Sequence, residues 1–394
     1  MVISLNNFYN TDTKKRFYNP TYVFQAEPGG AKDLLLESIN LSDPIVVIYD
    51  PNIVVDAFVH GAFLKFSVDK EPTEDLVEDA LLKMPHGNLN VIAIGGGSVI
   101  DFAKALVAHK IYGDWRRIGY GETRFLTDQN FHKPCKFIAV PTTSATGSEV
   151  SRYYLIKDSA TNEKLVGRSW QVCPDIAILD PLFLQTLSLQ SLISGIFDAF
   201  SHSWETFFCK YEVSSTTKLF ASESIKRIID SVTLLMKRHE PDHEMYSSLQ
   251  YAAMLGGLCL SNTRTGLLHT SGEALSAQVD LPHPYTLRIF FGACLKSYEQ
   301  EVKASFADLK SFLPKEIKCL QDIILFWDSV WLHFGLDKKI KERLEGKRID
   351  TSSIMTLIMR DTVLISKEHP SRLTEQDIKE LIKSSLQNYG AVIC

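Results

Sequence analysis

"VIAIGGGSVIDFAKAL", residues 91–106, decides the fold. Its apolar opening is too short and too rich in β-branched residues for a helix. After three glycines and a serine, apolar residues recur at helical spacing, so the stretch reads as strand, turn, helix, the βα unit of a parallel sheet. Glycines at such a turn let the backbone approach a ligand closely. The free N–H groups and positive dipole end of the following helix suit a pyrophosphate, which makes Gly95, Gly96, Gly97 and Ser98 candidate cofactor contacts. The spacing is not GxGxxG, and taken alone GGGS reads equally well as a turn that needs positive φ.

The pattern extends outward. "PIVVIYD" (44–50) and "CKFIAVPTT" (135–143) are further short β-rich runs. The first, like the run at 90–98, precedes a segment read as a helix, which implies a parallel sheet covered on both faces, a doubly wound α/β domain. The third continues into "VPTTSATGSEVS" (140–151), which sets Thr142, Thr143, Ser144 and Thr146 with Gly147 at the carboxyl edge of the sheet. Ligands of open α/β sheets bind at that edge. Hydroxyls there also serve as caps and ST-turns, but two polar glycine-containing turns at one edge favour a dinucleotide. Asp50, at the end of its strand, suits the two ribose hydroxyls and repels a 2′-phosphate, favouring NAD(H) over NADP(H). Its structural alternative is a capping aspartate before Pro51.

Beyond "PDIAILDPLFLQTLSLQSLISG" (174–195) the texture becomes helical, with long periodic segments such as "SSTTKLFASESIKRIIDSVTLLMKRH" and "SLQYAAMLGGLCL". The proline turn at Asp180–Pro181 places the boundary: residues 1–181 form the α/β domain and 182–394 a helical one. Two domains suit a chain of 394 residues, past the roughly 250–300 at which single cores stop growing. The tail reads as a terminal helix capped by Thr374 with Asp377 three residues on.

A net charge of −5 with mixed signs argues against a nucleic-acid groove or a polybasic membrane patch, leaving a small molecule as ligand. Seven scattered cysteines with no CxxC pair fit a reducing compartment. With no signal peptide or apolar span read, the expected location is the cytoplasm.

Two segments in the second half carry possible metal ligands. In "GIFDAFSHSWETFF" (195–208), Asp198 and His202 are four apart and His202 and Glu205 three apart, so each pair shares a helix face. In "GLLHTSGEALSAQVDLPHP" (266–284), His269 and His283 bracket Glu273, with His283 in a turn between two prolines. Each histidine alone reads as well as a core residue, and the helical pairs as surface pairs. Asp198, His202, His269 and His283 together offer only nitrogen and oxygen, a set that suits Fe(II) or Zn(II) with one position left for substrate.

With "GGGSVIDFAKA", "PTTSATGSEVS", "PDIAILDP", "DAFSHSWE" and two histidines fourteen apart in this order, the chain resembles the iron-dependent (group III) alcohol dehydrogenases of the dehydroquinate synthase-like superfamily, along nearly its whole length. The resemblance implies an N-terminal dinucleotide-binding domain, a C-terminal helical domain and a metal in the cleft between them. It assigns Asp198, His202, His269 and His283 to the metal, and Gly95 to Ser98 to the pyrophosphate. Thr142, Thr143 and Thr146 fall on the second cofactor turn, Asp50 on the ribose-binding acid and Lys164 near the nicotinamide ribose. The sequence departs from the family at Glu273, where a second histidine is usual, at Pro284, where glycine is usual, and at Arg264, where small residues are usual.

The implied activity is hydride transfer between NAD(P)(H) and a small alcohol or aldehyde; a homodimer, the commonest closed assembly, is expected, with no nucleic-acid or membrane partner. Glu273 then serves as proton relay, substrate contact or a partner that orients His269, and Arg264 as a contact for an anionic aldehyde such as a phosphonate aldehyde. Two alternatives stand beside this: a relative acting on a phosphorylated polyol or sugar acid, including a non-redox synthase-like reaction, and a regulatory protein that binds nucleotide and metal without turnover.

Overall fold

A computed structural model describes residues 16–116, 133–161, 163–210, 213–238, 240–360 and 369–393. Cys394 and residues 1–15, most of the stretch read for a signal peptide, lie outside them. The strands of the first half are β1 (Tyr22–Gln25), β2 (Ile45–Tyr49), β3 (Leu64–Ser67), β4 (Leu89–Gly95), β5 (Cys135–Pro141), β6 (Tyr153–Lys157), β7 (Lys164–Arg168) and β8 (Ile176–Leu179). Six form one parallel sheet in the order β1-β8-β5-β4-β2-β3. The chain leaves β2 toward one edge and β4 toward the other, so the order reverses between these neighbours. The crevice beyond their carboxyl ends is where an open α/β sheet takes a ligand.

Each central strand is buried on both faces. Val46, Ile48, Val91 and Ala93 pack in one core with α2 (Glu74–Leu81) and α3 (Gly97–Tyr112), while Val47, Ile92 and Ile94 pack in another with α1 (Ala31–Ser38). Helix α3 is buried continuously from Val99 to Ala108 and ends at Gly113, whose φ of 75° supplies the left-handed cap.

Two features depart from the expected alternation. No α-helix follows β2; a single 3₁₀ turn at Val55–Ala57 leads into β3. Asp50 Oδ1 accepts bonds from the backbone N–H and side-chain amide of Asn52, both 2.9 Å. This local turn competes with helix formation, and Val54 and Val55 are poor helix formers. Strands β6 and β7 form a separate antiparallel hairpin over α3. Tyr154 and Ile156 point into the α3 core. The register partners Tyr153 and Arg168, Leu155 and Val166, Lys157 and Lys164 share the opposite face, toward the crevice.

The second half comprises α4 (Leu189–Phe208), α5 (Ser215–Arg238), α6 (His243–Asn262), α7 (Leu267–Ser276), α8 (His283–Lys296), α9 (Lys303–Lys310), α10 (Leu320–His333), α11 (Asp337–Leu344), α12 (Thr351–Arg360) and α13 (Glu375–Gln387). A two-residue strand pair, β9 (Arg348–Ile349) and β10 (Val392–Ile393), ties the carboxyl end to the chain before α12. Helix α4 runs through the middle, with Phe197, Phe200 and Trp204 in an aromatic cluster that includes Trp327 and Trp331. Thr374 and Asp377 exchange both bonds of a capping box at the start of α13.

The two halves meet backbone to backbone at Gly147 and Gly257. Gly147 has a φ of +62°, and a Cβ on it would lie 2.4 Å from the Gly257 Cα; one on Gly257 would lie 2.3 Å from the Gly147 carbonyl oxygen. Only glycine allows this approach. It fixes the turn after β5 against α6. Among the described residues no helix is long and apolar enough to cross a membrane.

Candidate functional site

A cavity of about 750 Å³ runs from the carboxyl ends of β2 and β4 to the helices of the second half. One end is built from backbone. Gly95 closes β4 and Gly97 opens α3, whose N-cap, Gly96, makes no side-chain capping bond. The first N–H groups of a 16-residue helix therefore face the cavity, a standing anion site. The glycines serve space and not conformation: none of Gly95, Gly96 or Gly97 has positive φ. A Cβ on Gly95 would lie 2.4 Å from Val99, and one on Gly97 2.7 Å from Thr146. The positive-φ reading of GGGS is thereby excluded.

Asp50, Gly96, Gly97, Ser98, Thr143, Thr146 and Lys164 all line this cavity. Gly95 and Thr142 stand behind it, where the Thr142 N–H donates to the Gly95 carbonyl at 3.1 Å and so joins the two turns. Asp69 and Glu71 also reach the lining, and Lys164 Nζ lies 2.8 Å from Glu71 Oε1. Burial alone would depress the Lys164 ammonium, but Glu71 and Glu273 overcome it and hold its pKa above the usual lysine value.

The other end is built from side chains. Asp198 and His202 come from α4, His269 from α7 and His283 from the first position of α8, in a helical turn and not the loop its flanking prolines suggest. Proline following at position 284 suits a first turn, where its missing N–H costs nothing. The Asp198 Oδ1 is surrounded by three imidazole nitrogens: His269 Nε2 at 3.4 Å, His202 Nε2 at 3.8 Å and His283 Nε2 at 3.8 Å. Donor atoms of Asp198, His269 and His283 all lie within 4.8 Å of one another. His202 joins them through Asp198 and stacks on His269 with ring centres 4.5 Å apart.

Asp198 is 2% exposed and His269 1%, yet Asp198 Oδ1 and His269 Nε2 have no hydrogen-bond partner among the described residues. Buried polar groups are almost always satisfied. Two orphans converging with two further imidazoles fit a divalent cation with nitrogen and oxygen ligands. Burial pushes the His202 pKa down to about 4, against the pull of Asp198. Burial, with Lys164 nearby, lowers His283 as well, so both rings are neutral near pH 7, the form that binds metal. Burial would raise the Asp198 carboxyl, but His202, His269 and His283 hold it well below the carboxylate range.

The sequence reading left the role of orienting His269 to Glu273. The structure gives it to Glu205. Its Oε2 accepts from His269 Nδ1 at 2.6 Å and from the Gly266 N–H at 2.8 Å, and its Oε1 from the Leu268 N–H at 2.8 Å. Glu205 thus caps α7, whose own N-cap, Gly266, makes no side-chain bond. A Cβ on Gly266 would lie 2.6 Å from Glu205 Oε1, so glycine there admits the carboxylate. The three-residue spacing from His202 was visible in the sequence, but the bond to another helix was not. Glu273 instead faces the cavity one turn beyond His269, together with Arg264, Thr265 and Thr270. Burial raises the Glu273 carboxyl, opposed by Lys164 and His269.

The model of the iron-containing alcohol dehydrogenases matches residues 33–181, and that of the family's C-terminal domain residues 192–386. The NADPH-dependent butanol dehydrogenase of Clostridium saccharobutylicum is 28% identical over 227 residues, 54% of this chain and 55% of that protein. NADH-dependent butanol dehydrogenase A of Clostridium acetobutylicum is 28% identical over 249 residues, 61% and 62% of the two chains. The match thus spans less than two thirds of the length of these curated relatives. The iron-containing alcohol dehydrogenase structure from Thermococcus thioreducens superposes with a TM-score of 0.74 at 22% identity, covering 94% of this chain and 100% of that one; this likeness is one of fold.

Proposed function

The chain belongs to the iron-containing alcohol dehydrogenase family, and from that premise we propose that it interconverts a small alcohol and its aldehyde with NAD(H). The observation that carries the proposal is the convergence of Asp198, His202, His269 and His283 at one end of a cavity whose other end is an uncapped helix N-terminus. A divalent cation held by those four residues, Fe(II) or alternatively Zn(II), would supply Lewis acidity at the substrate oxygen, and a bound nicotinamide the hydride.

The chain's own residues do the rest. Gly96, Gly97 and Ser98 receive the pyrophosphate at the start of α3, with Gly95 and Thr142 bracing the turn from behind. Thr143, Thr146 and Lys164 line the way to the second half. Asp50 takes the ribose hydroxyls, and the lining of Asp50, Asp69 and Glu71 supports NAD(H) over NADP(H) by repelling a 2′-phosphate. Glu205 fixes the His269 ring. Glu273 passes a proton to the substrate oxygen or holds a substrate hydroxyl, and Arg264 pairs with an anionic substituent such as a carboxylate or phosphonate. In this reading residues 1–181 bind cofactor and residues 182–394 bind metal and substrate, in a cytoplasmic homodimer. Fully bound substrate excludes water from the cleft, which strengthens each of these contacts.

Metal analysis of anaerobically purified protein, followed by NADH and NADPH oxidation over neutral, hydroxylated and anionic aldehydes, tests the proposal. Bound metal, aldehyde-dependent oxidation lost on chelation and a preference for NADH are expected. Unchanged reduction after complete metal removal, or no oxidation with any aldehyde by the metal-loaded protein, would reject it.

A further inference from the structure

A second, much smaller chamber adjoins Glu205. Its lining includes Glu205, Arg264, Leu268, Cys294, Tyr298 and His369, and its volume is about 20 Å³, just above the roughly 10–15 Å³ that a cavity needs to hold a single water. His369 is 6% exposed and comes from the segment that leads into α13, distant in sequence from every metal ligand. Its Nδ1 lies 3.1 Å from the Ser371 N–H and 3.0 Å from the Ser371 carbonyl. Whichever of these it bonds, Nε2 on the opposite edge of the ring has no partner among the described residues.

The other walls of the chamber have capacity to spare. Among the described residues Glu205 accepts three hydrogen bonds, from Gly266, Leu268 and His269, and a carboxylate has about four lone-pair sites. The Tyr298 hydroxyl accepts from Trp204 Nε1 at 2.9 Å and keeps its own hydrogen to give. Its ring meets that of His369 edge-on at 5.3 Å. A buried water needs two to four polar partners, and the residues that carry three such groups line one water-sized space.

We propose that this chamber binds a single water that bridges His369 Nε2 to the Glu205 carboxylate, with the Tyr298 hydroxyl as third partner. His369 is thereby a positioning residue for the metal centre. Through the water it restrains Glu205, which restrains the His269 ring, so the segment before α13 helps set the geometry of a ligand on α7. The consequence for the metal rests on the function proposed above; the water does not.

The test uses the full chain loaded with Zn(II), following metal transfer to a chromogenic chelator beside thermal melting. Glutamine places its amide nitrogen where Nε2 of histidine stands, whereas asparagine reproduces only the Nδ1 position. His369→Gln is expected to release metal within about twofold of the parent. His369→Asn and His369→Phe should release it up to about tenfold faster, the low end of the effect of outer partners on metal affinity. A mere turn at Ser371 would be rescued by Asn and not by Gln, and that result would overturn the proposal, as would parental release from His369→Phe alongside faster release from Glu205→Gln. Parental metal retention by His269→Ala would instead sink the metal reading, and the positioning role with it. A high-resolution crystal structure should show a water within hydrogen-bond distance of His369 Nε2 and Glu205. An empty chamber, or a direct bond between the two side chains, would overturn the bridge.

Discussion

The two ends of the cavity are made in opposite ways. The end proposed for cofactor is mostly backbone: three consecutive glycines, a bare helix N-terminus and a second turn bonded to the first. The end proposed for metal is side chains drawn from three helices, with the His269 ring held by Glu205. A backbone site fails when something is added to it, because its function is space. A side-chain site fails when something is removed.

Removing the most enclosed ligand should have the largest effect. His269→Ala is expected to lose bound metal and at least about a thousandfold in kcat, the loss of a polarising group of several kcal/mol, while fluorescence titration still shows NADH binding. If NADH binding disappears too, the two ends are not separable. Next comes Glu205→Gln, which keeps the shape but weakens the hold on His269 and the start of α7. Metal affinity should fall by about 10- to 100-fold, with KM for NADH unchanged, as competition with a calibrated chelator and steady-state kinetics would show.

The converse change adds a methyl group at the cofactor end. Gly97→Ala sets a Cβ 2.7 Å from the Thr146 side chain, which can yield in part. KM for NADH should rise about tenfold, worth some 1.4 kcal/mol, with metal content untouched. A fall in metal content would break the comparison.

The smallest effect is on stability. Glu149, in the turn after β5, is 3% exposed, and burial raises its pKa to about 7 from 4.5, opposed by its own backbone bond and by Lys104. Because the folded value lies above the unfolded one, stability falls as pH rises from about 4.5 to about 7 and is level beyond. Glu149→Gln should therefore melt a few degrees above the parent at pH 8 and coincide with it near pH 4, as thermal melts across that range would show.

The same contrast explains what the sequence disclosed. The glycine turn was legible because a backbone site is contiguous, although its glycines answer to Val99 and Thr146 and not to positive φ. The four metal-ligand candidates were legible from their residue types, and the family resemblance assigned them together, but nothing local in the sequence brings α4, α7 and α8 to one point. Glu205 was noticed as a neighbour of His202, but its bond crosses to α7. The β6–β7 hairpin was missed because its pairing is set by the fit of Tyr154 against Gly167 and α3, and the helix expected after β2 gave way to the Asp50 turn.

The contact between Gly147 and Gly257 limits how the chain can vary and how it can move. Two main chains in contact have no rotamers to rearrange, so neither position can accept a side chain unless α6 shifts as a body and carries its neighbours with it. For the same reason the halves cannot slide past one another there. Were the cleft to open by rotation, this contact would be its fulcrum, and the opening would be greatest at the end farthest from it.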